Sequence, residues 1–185
     1  MHNKLPIFFF FIDRFDKNNI RKLDKKVAII YRNYNTKIDI NLILNIKNFC
    51  RKDGRKFFLS NDHKIGNNLD LDGVYIPAFN RCMDIKKYNK KKKFLIIGSA
   101  HSLQEIRIKE KQGAALIFIS PLFKSVKHKR FLNPIKFNLL SSKTNKKVIA
   151  LGGITKKNYN KLKIVNAYGF AGITYFKNND NFKTL

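Results

Sequence analysis

The sequence predicts an α/β protein, a single (β/α)8 TIM barrel over residues 1–185, compact, with abbreviated helices. Three observations predict it. Eight short apolar runs recur along 185 residues. Each run is continuous rather than alternating, as expected of parallel strands covered on both faces. Helical-period or cap-marked segments separate several of them, and strand, helix, strand repeated eight times is the pattern of a closed parallel barrel. A doubly wound open sheet is the structural alternative, because periodicity does not count closure.

The expected strands are Phe8–Ile12, Val27–Tyr31, Lys56–Leu59, Gly73–Ile76, Phe94–Ile97, Ala115–Ile119, Val148–Leu151 and Gly169–Thr174. The first contains Phe8, Phe9, Phe10 and Phe11 in a row. It is far shorter than the roughly 20 residues a membrane helix needs. Asp13-Arg14 follows at once, where a signal peptide would carry small residues. The run reads as a buried strand.

Helices are expected where apolar residues recur every three or four positions. Ile38–Phe49 places Ile40, Ile43 and Leu44 on one side. Ser102–Gln112 opens with Ser102, carries Glu105 at capping-box spacing, and stops at Gly113. Thr155–Val165 opens with Thr155 as a cap and turns Leu162 and Val165 inward. The chain is short for a barrel of about 200 residues or more. Helices are therefore expected to be abbreviated after strand three, at His63–Leu69, and after strand eight, where Phe176–Leu185 remains.

Composition narrows the class. Hydrophobic residues form 44% of the chain, enough for a packed core without staples. Cys50 and Cys82 fit neither a metal spacing nor a disulfide framework and read as reduced thiols of a cytoplasmic protein. Thirty-nine Lys and Arg against 12 Asp and Glu give a net charge of +27. The accompanying excess of Lys, Asn, Ile and Phe favours a solvated basic surface over a polyanion partner. No aromatic-basic module of the usual nucleic-acid binders is present.

In a barrel of this kind, chemistry sits where strands end and their loops begin. The strongest signal there is Leu151-Gly152-Gly153-Ile154-Thr155 after strand seven. Glycines let backbone amides approach an anion, and a following helix would add positive potential. With Ile173-Thr174 after strand eight it suggests a phosphate site; a tight turn with a helix cap is the plainer reading. Asp62 after strand three suits Mg²⁺, which takes one or two carboxylates plus substrate phosphate oxygens, or a simple turn. Arg32 after strand two offers a planar fork to phosphate. His101 is a candidate general base, and it also precedes the helix capped by Ser102.

These strand ends, taken in order, resemble the thiamine phosphate synthase and thiazole tautomerase superfamily over nearly the whole chain. Ile12-Asp13-Arg14 is similar to its T-D-R, Ser60-Asn61-Asp62 to I-N-D, and Asp72–Ile76 to A-D-G-V-H-L. Ser99–Glu105 matches S-x-H-S-x-x-E. Gly113-Ala114-Ala115 stands at G-A-D, Ser120–Phe123 at G-P-I-F, Leu151–Thr155 at the G-G-I-T loop, and Ala167–Ala171 at A-D-G-V-A.

The resemblance implies a cytoplasmic Mg²⁺-dependent transferase of thiamine biosynthesis. It would join a hydroxymethylpyrimidine pyrophosphate to a thiazole phosphate and release pyrophosphate. Carried over by position, Arg32, Ser99 and Lys127 would be catalytic. Asn61, Ser125, Gly153, Ile173 and Thr174 would bind substrates, and Asp62 with Asn80 would hold the metal. Partners are small phosphorylated molecules, with neither membrane nor nucleic acid. The chain departs from the family where Ile30–Tyr34 replaces Q-L-R-E-K and where Asn80 replaces the second metal Asp. It has Pro121 where the tautomerase branch has its catalytic His. A tautomerase-like enzyme and a phosphate-ligand-binding paralogue without turnover are the alternatives.

Overall fold

A computed structural model describes residues 5–85, 93–125 and 130–177. Eight parallel strands close in sequence order into a barrel, β1 pairing with both β2 and β8. The strands are β1 (Phe8–Ile12), β2 (Val27–Tyr31), β3 (Phe57–Ser60), β4 (Gly73–Ile76), β5 (Leu95–Ala100), β6 (Leu116–Ile119), β7 (Lys147–Leu151) and β8 (Gly169–Gly172). Closure excludes the open doubly wound sheet.

The continuous apolar runs are explained by two cores on opposite faces of the strands. Alternate residues, among them Phe9, Phe11, Ala28, Ile30, Phe58, Tyr75, Ile97, Phe118, Ile149 and Ala171, form one cluster. Their neighbours, including Phe10, Ile29, Phe57, Val74, Ile96, Ile117 and Val148, join the helix residues in another. Period-two alternation makes the first set the barrel interior. Aromatic rings fill that interior: Phe9 packs edge-on against Phe118 at 4.8 Å, and Phe11 against Tyr75 at 5.1 Å. Ala28 and Ala171 leave room for them.

The helices are short. Asp16 caps Lys17–Arg21 by accepting from the amides of Asn18 and Asn19, and Asp39 caps Ile40–Lys52 in the same way. Asp62 caps His63–Asn68, the expected abbreviated helix after β3. Ser102 caps Leu103–Lys111, as its spacing predicts. Glu105 completes the box one residue early, its Oε2 accepting from the His101 amide at 2.6 Å. Asn133–Ser141 follows β6 and Thr174–Lys177 follows β8.

The expected helix Thr155–Val165 is not formed. A 3-10 helix, Tyr159–Ile164, stands in its place. Asn158 accounts for the difference: its Oδ1 accepts from the Thr155 amide at 2.8 Å and its Nδ2 donates to the Gly153 carbonyl at 2.8 Å. The backbone bonds that follow run three residues back, from the Asn158 amide to the Thr155 carbonyl at 3.2 Å and from Lys161 to Asn158 at 3.0 Å, which is 3-10 rather than α spacing. Thr155 is therefore no cap, and the glycine loop has no α-helix behind it. β8 also ends at Gly172, earlier than the expected Thr174, which begins a helical turn.

Candidate functional site

Following the inward-facing register past the strand ends delivers the site. Ile30 faces inward, so Arg32 does too; Ile97 is followed by Ser99, Phe118 by Ser120, and Ala171 by Ile173. Together with Tyr34, Tyr75, Phe79, Arg81, His101, Glu105, Ser125, Gly153 and Thr174 they line a cleft of about 940 Å³ at the carboxyl ends of the strands. A cleft of this size holds a small ligand, and this is the end of the barrel that carries chemistry.

Its floor is the top of the aromatic plug. Tyr75 is buried, and burial pushes its phenol up to about 12, with a hydrogen bond to Ser99 and the nearby Arg32 charge acting against it. Tyr75 is thus a neutral hydrogen-bonding group at any physiological pH. The Arg32 guanidinium carbon stands 4.7 Å from the Phe11 ring centre. Among the described residues Arg32 and Arg81 set two cations in the wall against a single carboxylate, Glu105, so the cleft favours anions.

The glycine loop packs against the β6 loop. Leu122 donates its amide to the Leu151 carbonyl at 2.9 Å, and Phe123 to Gly152 at 3.1 Å. Gly152 and Gly153 have φ of 95° and 70°. A Cβ on Gly153 would collide with the Phe123 carbonyl oxygen. Only glycine fits, for reasons of close loop approach as well as backbone conformation. The amides of Gly153, Ile173 and Thr174 donate to no acceptor among the described residues. Among the described residues nothing competes with an anion for them.

On the His101 ring, Nδ1 lies 2.8 Å from the Ser120 carbonyl, an acceptor only. That contact assigns the ring proton to Nδ1 in the neutral form and leaves the Nε2 lone pair open.

Arg32, Ser99, Ser125, Gly153, Ile173 and Thr174 are brought together as the sequence suggests. Asn61 and Asp62 are not with them. They line a smaller pocket of about 110 Å³, which shares Tyr34 with the main cleft. The Tyr34 hydroxyl is 2.7 Å from Ser60 Oγ. Asn80 lines neither pocket. It donates Nδ2 to Asn61 Oδ1 at 2.8 Å, while its own Oδ1 accepts from the Cys82 amide at 2.9 Å. Asp62 Oδ1 accepts from the Ile65 amide at 2.8 Å. Asp62 and Asn80 therefore meet other partners here, and no group of three or more metal-ligating His, Cys, Asp or Glu occurs among the described residues. Lys127 lies outside the described residues.

Tyr34, Tyr75, Phe79, Arg81 and Glu105 join the site beyond the residues that the sequence predicts for it. The one available signal was positional. Phe79 and Arg81 follow β4, as Tyr34 follows β2, and every strand-end loop belongs to the same rim.

The family model described as thiamine monophosphate synthase matches residues 18–176. A thiamine-phosphate synthase of Pelagibacter ubique is 28% identical over 99% of this chain and 89% of its own length. A putative thiamine-phosphate synthase 2 of Aquifex aeolicus is 39% identical over 58% of this chain, a match spanning 59% of that relative. Among solved structures, thiamine phosphate pyrophosphorylase from Pyrococcus furiosus superposes with a TM-score of 0.77 at 20% identity, covering 97% of this chain and 93% of that one. A tryptophan synthase complex from the same organism reaches 0.64 at 12% identity, covering 94% and 89%. The barrel is thus shared beyond one activity, and membership rests on the sequence match. The chain belongs to the thiamine monophosphate synthase family.

Proposed function

We propose that this protein joins a hydroxymethylpyrimidine diphosphate to a thiazole phosphate, releasing pyrophosphate and forming thiamine phosphate. The observation that carries the reading is one cleft holding both halves of an anion site. Gly153, Ile173 and Thr174, whose amides have no acceptor among the described residues, line the same cleft as the Arg32 fork.

In the proposed reaction the bond between the pyrimidine methylene carbon and the diphosphate oxygen breaks. The electron pair leaves with pyrophosphate, and the thiazole nitrogen donates its lone pair to the resulting cation. Arg32 and Arg81 stabilise charge as it develops on the leaving oxygens, which lowers the barrier more than equal binding of both states would. Ser99, tied to Tyr75, orients a hydroxyl towards the same region. Backbone amides of Gly153, Ile173 and Thr174 fix the thiazole phosphate, so that capture becomes effectively intramolecular.

Mg²⁺ fits one residue here. Asp62 Oδ1 is engaged by the Ile65 amide, and a carboxylate has acceptor sites beyond one such bond. Mg²⁺ keeps its waters and takes few carboxylates when substrate phosphates complete its shell. Asp62 would hold the ion, which when bound neutralises leaving-group charge. Asn80 does not fit, since both ends of its amide are already bonded.

A second reading follows from that amide pair: a protein that binds both phosphates and does not turn over. Pro121 in the cleft supports the synthase branch over the tautomerase branch. No helix among the described residues is long and apolar enough to cross a membrane. Cytoplasmic residence is supported by the free thiols. Calorimetric titration tests the site: thiazole phosphate and inorganic pyrophosphate should each bind, and each in the presence of the other. Mutual exclusion would mean one anion subsite rather than two, and no coupling site.

A further inference from the structure

Lys109 is fully buried, although the helix Leu103–Lys111 that carries it is otherwise rich in solvated charge. Its ammonium donates to the carbonyls of Pro77 at 2.8 Å and Asn80 at 2.7 Å, and to Gln112 Oε1 at 2.9 Å. Three donors meet three acceptors. Gln112 is equally buried, and its Nε2 donates to the carbonyls of Asn80 at 3.0 Å and Cys82 at 2.9 Å. Two side chains thus hold three carbonyls of one segment, residues 77–82.

The path of the lysine is built into the neighbouring strand. Gly98 sits in β5 between Ile97 and Ser99, whose register faces the interior, so its missing side chain falls on the helix side. A Cβ there would lie 2.7 Å from Lys109 Cδ and 3.2 Å from the Ile76 carbonyl. The glycine leaves the space through which the stem reaches the loop. Burying an ammonium is costly unless it is fully bonded; here two of its three bonds go to this loop, and the third goes to Gln112, whose amide holds the same loop. That loop brings Pro77, Ala78, Phe79 and Arg81 to the cleft wall.

We propose that Lys109 and Gln112 are positioning residues for diphosphate recognition: they fix segment 77–82 so that Arg81 and Phe79 stay on the wall of the cleft that Arg32 shares. The proposal rests on the assignment of diphosphate to this part of the cleft. Neither residue touches substrate.

The test uses Lys109→Met and Gln112→Leu in the full chain, with three readouts. These are the affinity for inorganic pyrophosphate, the affinity for thiazole phosphate, and hydrogen exchange at the Asn80 and Cys82 amides. Both amides are bonded within the held segment. Expected is a pyrophosphate affinity lower by roughly 10-fold, faster exchange at both amides, and an unchanged thiazole phosphate affinity. A folded variant with wild-type pyrophosphate affinity overturns the proposal, as does loss of both ligands together, which a merely structural role would produce. If Lys109→Met does not fold, Gln112→Leu decides, because it keeps the ammonium. A wild type that binds pyrophosphate but forms no product overturns the proposed activity and leaves the positioning role to be decided by the same variants. A wild type that binds no pyrophosphate overturns both.

Discussion

Arg32 stands over the face of Phe11, with 4.7 Å between the guanidinium carbon and the ring centre. The ring is itself fixed, edge-on to Tyr75 at 5.1 Å and 82°. Arg32 pairs with no carboxylate among the described residues, so the aromatic plug of the barrel holds the cation without neutralising it. A fold element and a functional charge share one contact.

This contact predicts an asymmetric pair of variants. Arg32→Lys keeps the charge and loses the planar fork, and should weaken pyrophosphate binding by about 10-fold or more. Phe11→Leu should lower pyrophosphate affinity only about 5-fold, from a cation–π contribution on the order of 1 kcal/mol, while costing stability through lost ring burial. Titration with pyrophosphate and a thermal melt check both. Equal loss of thiazole phosphate affinity in Arg32→Lys would remove Arg32 from the diphosphate role.

At Asp62 the metal role and the capping role separate by substitution. Asp and Asn cap helices about equally well, whereas Ala costs about 1 kcal/mol. Asp62→Asn should therefore keep the melting temperature and lose Mg²⁺-dependent enhancement of pyrophosphate binding. Asp62→Ala should lose both. If Asp62→Asn binds pyrophosphate and Mg²⁺ as wild type does, Asp62 is a cap alone.

Gly153→Ala should fail in a manner that reports loop packing. A residue with a side chain at φ of 70° costs about 1–2 kcal/mol, and the Cβ would meet the Phe123 carbonyl oxygen. The melting temperature should drop by roughly 2–8 °C, and thiazole phosphate affinity should fall with it. Asn158→Ala removes the bridge across the same loop without crowding it, and should weaken thiazole phosphate binding with a smaller drop in melting temperature.

The two thiols should differ sharply. Cys82 is exposed and Cys50 is buried. Burial pushes the Cys50 thiol up to about 12, with a partial opposing effect of Arg55. A thiol reagent at pH 8 should titrate one cysteine in the native protein and two in denaturant. Because the unfolded chain ionises Cys50 near pH 9, the unfolded state binds fewer protons between pH 9 and 12. The stability this thiol contributes is intact below pH 9 and lost as pH rises through that window, by at most about 1.4 kcal/mol per unit. Urea midpoints of wild type and Cys50→Ala should converge over that range, and parallel curves would contradict the assignment.

The barrel was legible because both faces of each strand are covered. Phe8–Ile12, Val27–Tyr31 and Gly73–Ile76 carry unbroken apolar side chains, and their boundaries read directly. β5 reads shorter than it is, because Gly98-Ser99-Ala100 has the composition of a loop. Gly98 is there to let Lys109 pass. The segment after β7 imitates a helix start because Thr155 has the spacing of a cap, while the side chain that organises the loop is Asn158, three residues on. At the site, Arg32, Ser99 and the glycine loop follow from strand-end position. Tyr34, Phe79 and Arg81 depend on loop paths set by hydrogen bonds from distant residues, and no local pattern announces them. Lys109, one of 39 basic residues, reads as solvated until its partners are seen.

The most direct test is turnover by the purified protein given hydroxymethylpyrimidine diphosphate, thiazole phosphate and Mg²⁺. Thiamine phosphate and pyrophosphate are quantified in the same reaction. The account predicts that both appear in equal amounts, that neither forms when the thiazole phosphate is omitted, and that Arg32→Lys slows both. Tight binding of both substrates with no thiamine phosphate formed would contradict it, and would make the protein a binder of the two phosphates rather than a synthase.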